Sequence, residues 1–135
     1  EDLKPQDFIN HSQLVYKNTQ NYSEAIKSLE LGINRLGKDT FSLQSKKLEY
    51  LLHLNNKELI IEQYDYFINL TNRKEFWYYK KAQFLFKSGD INNAQVAIEN
   101  CKKAIDKLPA RFKNMKSIID LKNDLYQLEK NTKND

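Results

Sequence analysis

Residues of similar type recur along this chain at intervals of 34 positions. The clearest pairs one interval apart are Leu14 with Leu48, Tyr16 with Tyr50, Asn21 with Asn55, Glu24 with Glu58, and Ile26 with Ile60. A second interval of 34 aligns Tyr50 with Phe84, and the spacing then becomes 35 because one residue is inserted near Gly89. A period of this length is typical of repeat architectures, in which each unit buries its apolar surface against its neighbours.

Each unit has the pattern of two helices. Asn21, Asn55 and Asp90 can accept hydrogen bonds from the first free backbone N–H groups of a helix, so they predict three helix starts. Apolar residues follow Asn21 at spacings of three and four, and Gly37 can end that helix in a left-handed conformation. We predict seven helices, over residues 5–19, 22–36, 40–54, 56–70, 74–88, 91–107 and 109–130.

The composition agrees with an all-helical fold. Three Gly and two Pro in 135 residues are few for the turns of a β-sandwich or of a dinucleotide-binding domain. The 12% aromatic content is high for a disordered chain. The sequence contains no apolar run of about 18 residues, the minimum for a membrane-spanning helix. We therefore predict a soluble, all-α, single domain over residues 1–135.

The last predicted helix, 109–130, has no partner helix after it. Its apolar positions form one stripe and are Phe112, Met115, Ile118, Ile119, Leu125 and Leu128. A terminal repeat needs an element that covers its exposed apolar edge. We therefore expect 109–130 to be a capping helix, and we expect residues 131–135 to form a frayed tail.

Two short segments, together with the period, make the chain resemble the tetratricopeptide repeat (TPR) family. Residues 21–26 are similar to the start of the second helix of that repeat, and residues 88–94 are similar to its turn and small alanine. Trp77 lies near the position of an aromatic residue in the family's first helix. The match is degenerate, since Gln13 replaces a usual glycine and Leu59 a usual alanine. The three repeats are placed at about 6–39, 40–73 and 74–108.

The resemblance implies a right-handed α-α superhelix whose first helices line a concave groove for a peptide or a partner helix. The groove positions carried over from the family are Asn10, His11, Lys17, Gln44, Ser45, Tyr78, Tyr79 and Phe86. Amide side chains can bond the backbone of an extended peptide, and tyrosines offer flat apolar area with a polar tip. The alternative is that the aromatic residues pack in the core and that the polar residues are ordinary solvated positions.

A second candidate surface is basic. It comprises Lys102, Lys103, Lys107, Arg111, Lys113 and Lys116. The chain carries a net charge of +4, with 22 Lys and Arg against 18 Asp and Glu. A solvated helix surface is the interpretation we favour, and contact with an acidic ligand or a nucleic acid is the alternative.

The residue types needed for catalysis do not occur in a catalytic or metal-binding spacing. His11 and His53 belong to no ligand motif, and Cys101 occupies a small-residue position of a packed helix. We expect no enzyme activity, no cofactor, no metal site and no small-molecule substrate. The lysine and arginine clamp with which some family members hold chaperone C-terminal tails is also missing, since Glu75 and Tyr79 occupy two of its positions.

The sequence thus predicts a non-catalytic scaffold that binds a protein or peptide in its groove. Two other functions stay open: binding of an acidic ligand or nucleic acid through the 102–116 surface, and a structural or oligomerisation role in a larger assembly. The chain begins at Glu1 without a methionine and shows no export signal. The compartment is therefore left open between the cytoplasm and the cell envelope, the second if a signal has been removed.

Overall fold

The computed structural model describes residues 2–134, and within this range it contains eight α-helices and no strand. The helices are α1 Pro5–Thr19, α2 Tyr22–Leu36, α3 Phe41–Leu54, α4 Lys57–Leu70, α5 Glu75–Lys87, α6 Ile91–Asp106, α7 Ala110–Lys113 and α8 Lys116–Lys133. The predicted all-α class is confirmed. The bounds of α1 to α6 lie within one residue of the predicted ones.

The prediction of one helix over 109–130, and with it the count of seven helices, is wrong. The chain forms the short α7 and then α8, because Met115 adopts an extended conformation that no helix can contain. The end of the chain also differs from the expected frayed tail at 131–135. Helix α8 continues through Lys133, and the buried Thr132 donates its hydroxyl hydrogen to the carbonyl oxygen of Glu129 at 2.7 Å. Asp135 lies outside the described residues.

The predicted helix start at Asn55 is displaced by one residue. Asn55 ends α3 in a left-handed conformation with φ 55°, which asparagine tolerates better than most residues. The carboxamide oxygen of Asn56 then accepts a hydrogen bond from the backbone N–H of Leu59 at 3.2 Å, so Asn56 caps α4. The other two predicted caps are confirmed, since Asn21 accepts from the N–H of Glu24 and Asp90 from that of Asn93.

The chain divides into two compact units, with the boundary between Gln63 and Tyr64 inside α4. Unit 1 is the part that ends at Gln63, and unit 2 is the part that begins at Tyr64. The single domain over 1–135 stays a prediction, and its first residue, like its last, lies outside the described range.

In unit 1, α1 packs against α2, and both contact α3. The residues that lose all their solvent exposure include the apolar Ala25, Leu29, Leu43 and Ile60 and the polar Ser12. Gly32 allows the closest approach, because a Cβ atom added to it would lie 2.5 Å from Cγ of Phe8. Glycine is therefore the residue that fits at this position between α1 and α2.

In unit 2, α5 packs along α6, and both contact α8. The buried apolar residues include Phe67, Leu85, Ile98 and Ile118. The rings of Phe67 and Trp77 are stacked with their centroids 4.2 Å apart, so Trp77 belongs to this core. None of the helices within residues 2–134 is long and apolar enough to cross a membrane.

Candidate functional site

The α5–α6 pair of unit 2 brings the beginning of α5 next to the end of α6. The two helices are joined by a three-residue turn in which Gly89 takes a positive φ of 81° and Asp90 caps α6. Because the turn is short and the helices pack along each other, they run antiparallel. Residues just before α5 therefore lie beside the last turns of α6.

An open notch of about 350 Å³ lies at this end of the helix pair. It is lined by Asn72, Arg73, Lys74, Glu75, Tyr78, Asn100, Lys103, Ala104, Lys107, Leu108 and Pro109. We refer to this set of residues as the unit 2 notch. It contains four cationic side chains, one carboxylate, two amides and one phenol.

Two of the four cations already have partners. The carboxylate of Glu75 is only 1% exposed, and its Oε2 atom accepts from Nε of Arg73 at 2.7 Å and from Nη2 at 2.5 Å. The ammonium group of Lys74 donates to the carbonyl oxygen of Ile68. A buried carboxylate needs such a partner because an unpaired charge in this position would be strongly destabilising.

Lys103 and Lys107 are the other two cations of the notch. Both are exposed, and within residues 2–134 neither ammonium group has a salt-bridge partner. They are four residues apart at the end of α6, so they lie one helical turn from each other on the same side of the helix. The unit 2 notch therefore presents two adjacent positive charges that are available to a ligand.

A stack of two guanidinium groups on one ring borders the same region. The Cζ atoms of Arg73 and Arg111 lie 4.6 and 4.7 Å from the centroid of the Phe112 ring in α7. The Phe112 ring therefore gives Arg73 a second partner besides Glu75 and links α7 to the segment that precedes α5.

The predicted groove residues of unit 1 lie in different environments. The carboxamide oxygen of the exposed Asn10 accepts from Gln6 at 2.8 Å, Nδ1 of His11 lies 2.6 Å from the Ser28 hydroxyl, and Lys17 is exposed. Ser45 is half-buried. Gln44 is only 5% exposed, its amide donates to the carbonyl oxygen of Lys38, and its side-chain oxygen accepts from Gln63 at 2.9 Å. These contacts give the Gln44 amide a structural role inside unit 1.

The predicted groove residues of unit 2 are Tyr78, Tyr79 and Phe86, and all three are half-buried. Only Tyr78 lines the notch. Burial, together with the negative charge of Asp124, raises the pKa of Tyr79, which places that phenol in a less hydrated environment.

The predicted basic surface does not present six equivalent cations. Lys102 pairs with Glu129 at 2.5 Å and with Glu99 at 3.2 Å, and the hydrogen bond to Glu129 is the main cause that raises its pKa. The same bond lowers the pKa of Glu129. Lys116 pairs with Asp120 at 3.1 Å. Arg111 is held over Phe112 and Lys113 is half-buried, which leaves Lys103 and Lys107 as the pair inside the notch.

Two other cavities are lined by side chains that already contact each other. One, of about 350 Å³, lies between α6 and α8 and is crossed by the Lys102–Glu129 ion pair. The other, of about 220 Å³, lies in unit 1 beside an aromatic stack of Tyr16, Tyr22 and His53. The ring centroids in this stack are 4.3 and 4.6 Å apart, so the rings cover each other's faces and leave no gap for a ligand between them.

Cys101 is the single thiol, and it is buried. Its Sγ atom donates to the carbonyl oxygen of Glu75 at 3.2 Å. Burial, with a smaller contribution from the Glu75 charge, raises the pKa of this thiol to about 12. The group is therefore a protonated thiol at neutral pH, without the character of a nucleophile. Within residues 2–134, no three histidine, cysteine or carboxylate side chains are grouped so that they could hold a metal ion.

Sequence reasoning missed Arg73, Lys74 and the two amides of the notch, and it assigned Tyr78 and the lysines to two separate surfaces. The signal that could have joined them is the antiparallel pairing of α5 with α6, which brings residues 72–75 beside residues 100–108. No family model, no curated protein and no solved structure matches the chain.

Proposed function

We propose that this chain is a non-catalytic protein-interaction module that binds a peptide segment of a partner in the unit 2 notch. The observation that carries the proposal is the set of side chains in this open notch. Tyr78 offers a flat apolar surface with a hydroxyl, Asn72 and Asn100 can bond a peptide backbone, and Lys103 and Lys107 add charge. This combination suits recognition, and it contains no activated nucleophile or paired acid and base.

The fold that belongs to this proposal is a degenerate TPR-like array of three helix pairs in a right-handed superhelix with a C-terminal cap. It is supported by the 34-residue period, by the caps Asn21 and Asp90, and by the full burial of Ala25 and Ala94 at equivalent positions. A structural or oligomerisation role is the alternative. No contact among the described residues supports it.

The test begins with the selection of a displayed library of random linear peptides on the immobilised full chain. An enriched peptide is then titrated into isotope-labelled protein, and we expect amide shifts at Tyr78 and Asn100. The substitution Tyr78→Ala should weaken binding by about tenfold, because a tyrosine at the centre of an interface often contributes more than 1 kcal/mol.

The matched control is Tyr126→Ala, which removes an exposed tyrosine of α8 outside the notch. It should leave the affinity unchanged, and circular dichroism should show both variants to be folded. If no peptide is enriched, or if the Tyr126 variant loses as much affinity as the Tyr78 variant, the proposed function is wrong.

A further inference from the structure

The cations of the unit 2 notch fall into two pairs with different tasks. Arg73 and Lys74 are held by Glu75 and by the carbonyl oxygen of Ile68, so they build the wall of the notch. Lys103 and Lys107 have no anionic partner within residues 2–134 and project from the end of α6. Two neighbouring ammonium groups that repel each other gain most from a ligand that carries two anionic groups.

We propose that the unit 2 notch recognises an acidic peptide segment in which two carboxylates occupy alternate positions of an extended chain. This inference rests on the proposed function and names the class of peptide that the notch takes. One carboxylate pairs with Lys103 and the other with Lys107, while Tyr78 and the amides of Asn72 and Asn100 contact the peptide between and beside them.

The spacing of the two lysines supports this pattern. Four residues of α-helix advance by about 6 Å along the axis. Two residues of an extended chain advance by about 6.6 Å, and alternate side chains point to the same side. A carboxylate at every second position therefore matches Lys103 and Lys107 in both distance and direction. Adjacent carboxylates would point to opposite sides, and only one of them could reach the pair.

A nucleic acid fits the described charges less well. Binding to a phosphate backbone needs a stripe of cations that neutralises several successive phosphates. Lys102 and Lys116, which would extend the stripe along the 102–116 surface, hold Glu129 and Asp120 instead.

The experiment uses the full chain and three capped peptides of equal length. The first has glutamates at two alternate positions, the second has the same glutamates at adjacent positions, and the third has glutamine in place of both. Calorimetric or NMR titration at low ionic strength gives the affinities. We expect the alternate peptide to bind at least about tenfold more tightly than the glutamine peptide and more tightly than the adjacent one, as expected for two charge-assisted contacts.

The variants Lys103→Ala and Lys107→Ala should each weaken binding of the alternate peptide by about fivefold to tenfold. The matched control is Lys87→Ala, which removes an exposed lysine of α5 at the opposite end of that helix from the notch. It lowers the net charge by the same amount. The affinity should stay within twofold of that of the unmodified chain, a margin that covers the effect of the lower net charge. All three lysines are exposed, so the variants should fold.

The remaining outcomes decide against the proposal. It is wrong if the glutamine peptide binds as tightly as the alternate one, or if Lys87→Ala weakens binding as much as Lys107→Ala. It is also wrong if a single-stranded oligonucleotide binds more tightly than the peptide and loses affinity in the same two variants, which would assign the notch to nucleic acid. If the glutamine peptide or a selected neutral peptide still shifts the amide of Tyr78, the proposed function survives and only the acidic specificity fails.

Discussion

At the scale of single residues, Gly32 shows how one missing side chain positions two helices. An added Cβ atom would lie 2.5 Å from Cγ and 2.9 Å from Cβ of Phe8, and the second of these atoms cannot rotate away. Alanine normally stabilises a helix interior by about 1 kcal/mol relative to glycine. Here we expect Gly32→Ala to lower the free energy of unfolding by about 1–3 kcal/mol, because the clash forces α1 and α2 apart. Urea unfolding followed by circular dichroism measures this difference.

The control for Gly32→Ala is the same substitution in a Phe8→Ala background. With the ring removed, only the Cβ atom of residue 8 still crowds the new methyl group, so the cost of alanine should be smaller there than in the unmodified chain. The packing explanation would be contradicted if Gly32→Ala were harmless in the unmodified chain, or if its cost were the same in both backgrounds.

At the scale of elements, the turn between α3 and α4 contains two adjacent asparagines with different roles, since one ends α3 and the other caps α4. Asn55 is left-handed at the end of α3, and Asn56 caps α4 through the N–H of Leu59. We therefore expect Asn55→Gly to keep or slightly raise the free energy of unfolding, since glycine adopts this conformation without strain. Asn56→Ala should lower it by about 1 kcal/mol through loss of the cap. Thermal and urea unfolding of the two variants show which of them is the more stable.

The sequence-based assignment predicts the opposite order for these two variants. If Asn55 were the cap, Asn55→Gly would cost a few tenths of a kcal/mol and Asn56→Ala would be close to neutral. The side-chain contact would then be wrong, and α4 would begin one residue earlier.

The helix bounds were predictable because caps and apolar periodicity act within a few residues of the chain. The break between α7 and α8 was not, since no glycine or proline lies between Arg111 and Ile118 and the apolar spacing continues through it. Next to this break, the ring of Phe112 contacts the guanidinium groups of Arg73 and Arg111. Arg73 lies 39 positions before Phe112, so the local sequence pattern carries no sign of this contact.

The site was predictable only in its parts. The family resemblance pointed to Tyr78 and the clustering of charge pointed to Lys103 and Lys107, whereas their meeting in one notch depends on the pairing of α5 with α6. Which lysines keep a free charge also depends on partners from another helix, as Lys102 and its α8 partner Glu129 show. A sequence pattern identifies charges, and the fold determines which of them are already neutralised.

At the scale of the whole molecule, one thiol and two phenols that are buried or half-buried make the free energy of unfolding sensitive to high pH. Burial and the charge of Glu75 raise the pKa of Cys101 to about 12, and burial also raises the pKa of Tyr64 and of Tyr79. In the unfolded chain these groups titrate at their ordinary values of about 8.5–10. The unfolded state therefore loses protons first as the pH rises, and the free energy of unfolding should fall.

The stabilisation from the protonated thiol should be complete below about pH 8.5, the ordinary pKa of cysteine, and should be lost progressively as the pH approaches about 12, the pKa in the folded chain. Urea unfolding at several pH values between about pH 8 and pH 11 gives the slope of the free energy of unfolding against pH. A single titrating proton changes this slope by at most about 1.4 kcal/mol per pH unit.

The control is Cys101→Ala, in which the tyrosines and lysines still titrate. The difference between the slopes of the two proteins therefore reports on the thiol alone. Equal slopes in the two proteins would mean that Cys101 ionises as easily in the folded chain as in water. The burial of this side chain between α5 and α6 would then be contradicted, because a thiol held away from solvent cannot lose its proton at the ordinary pH.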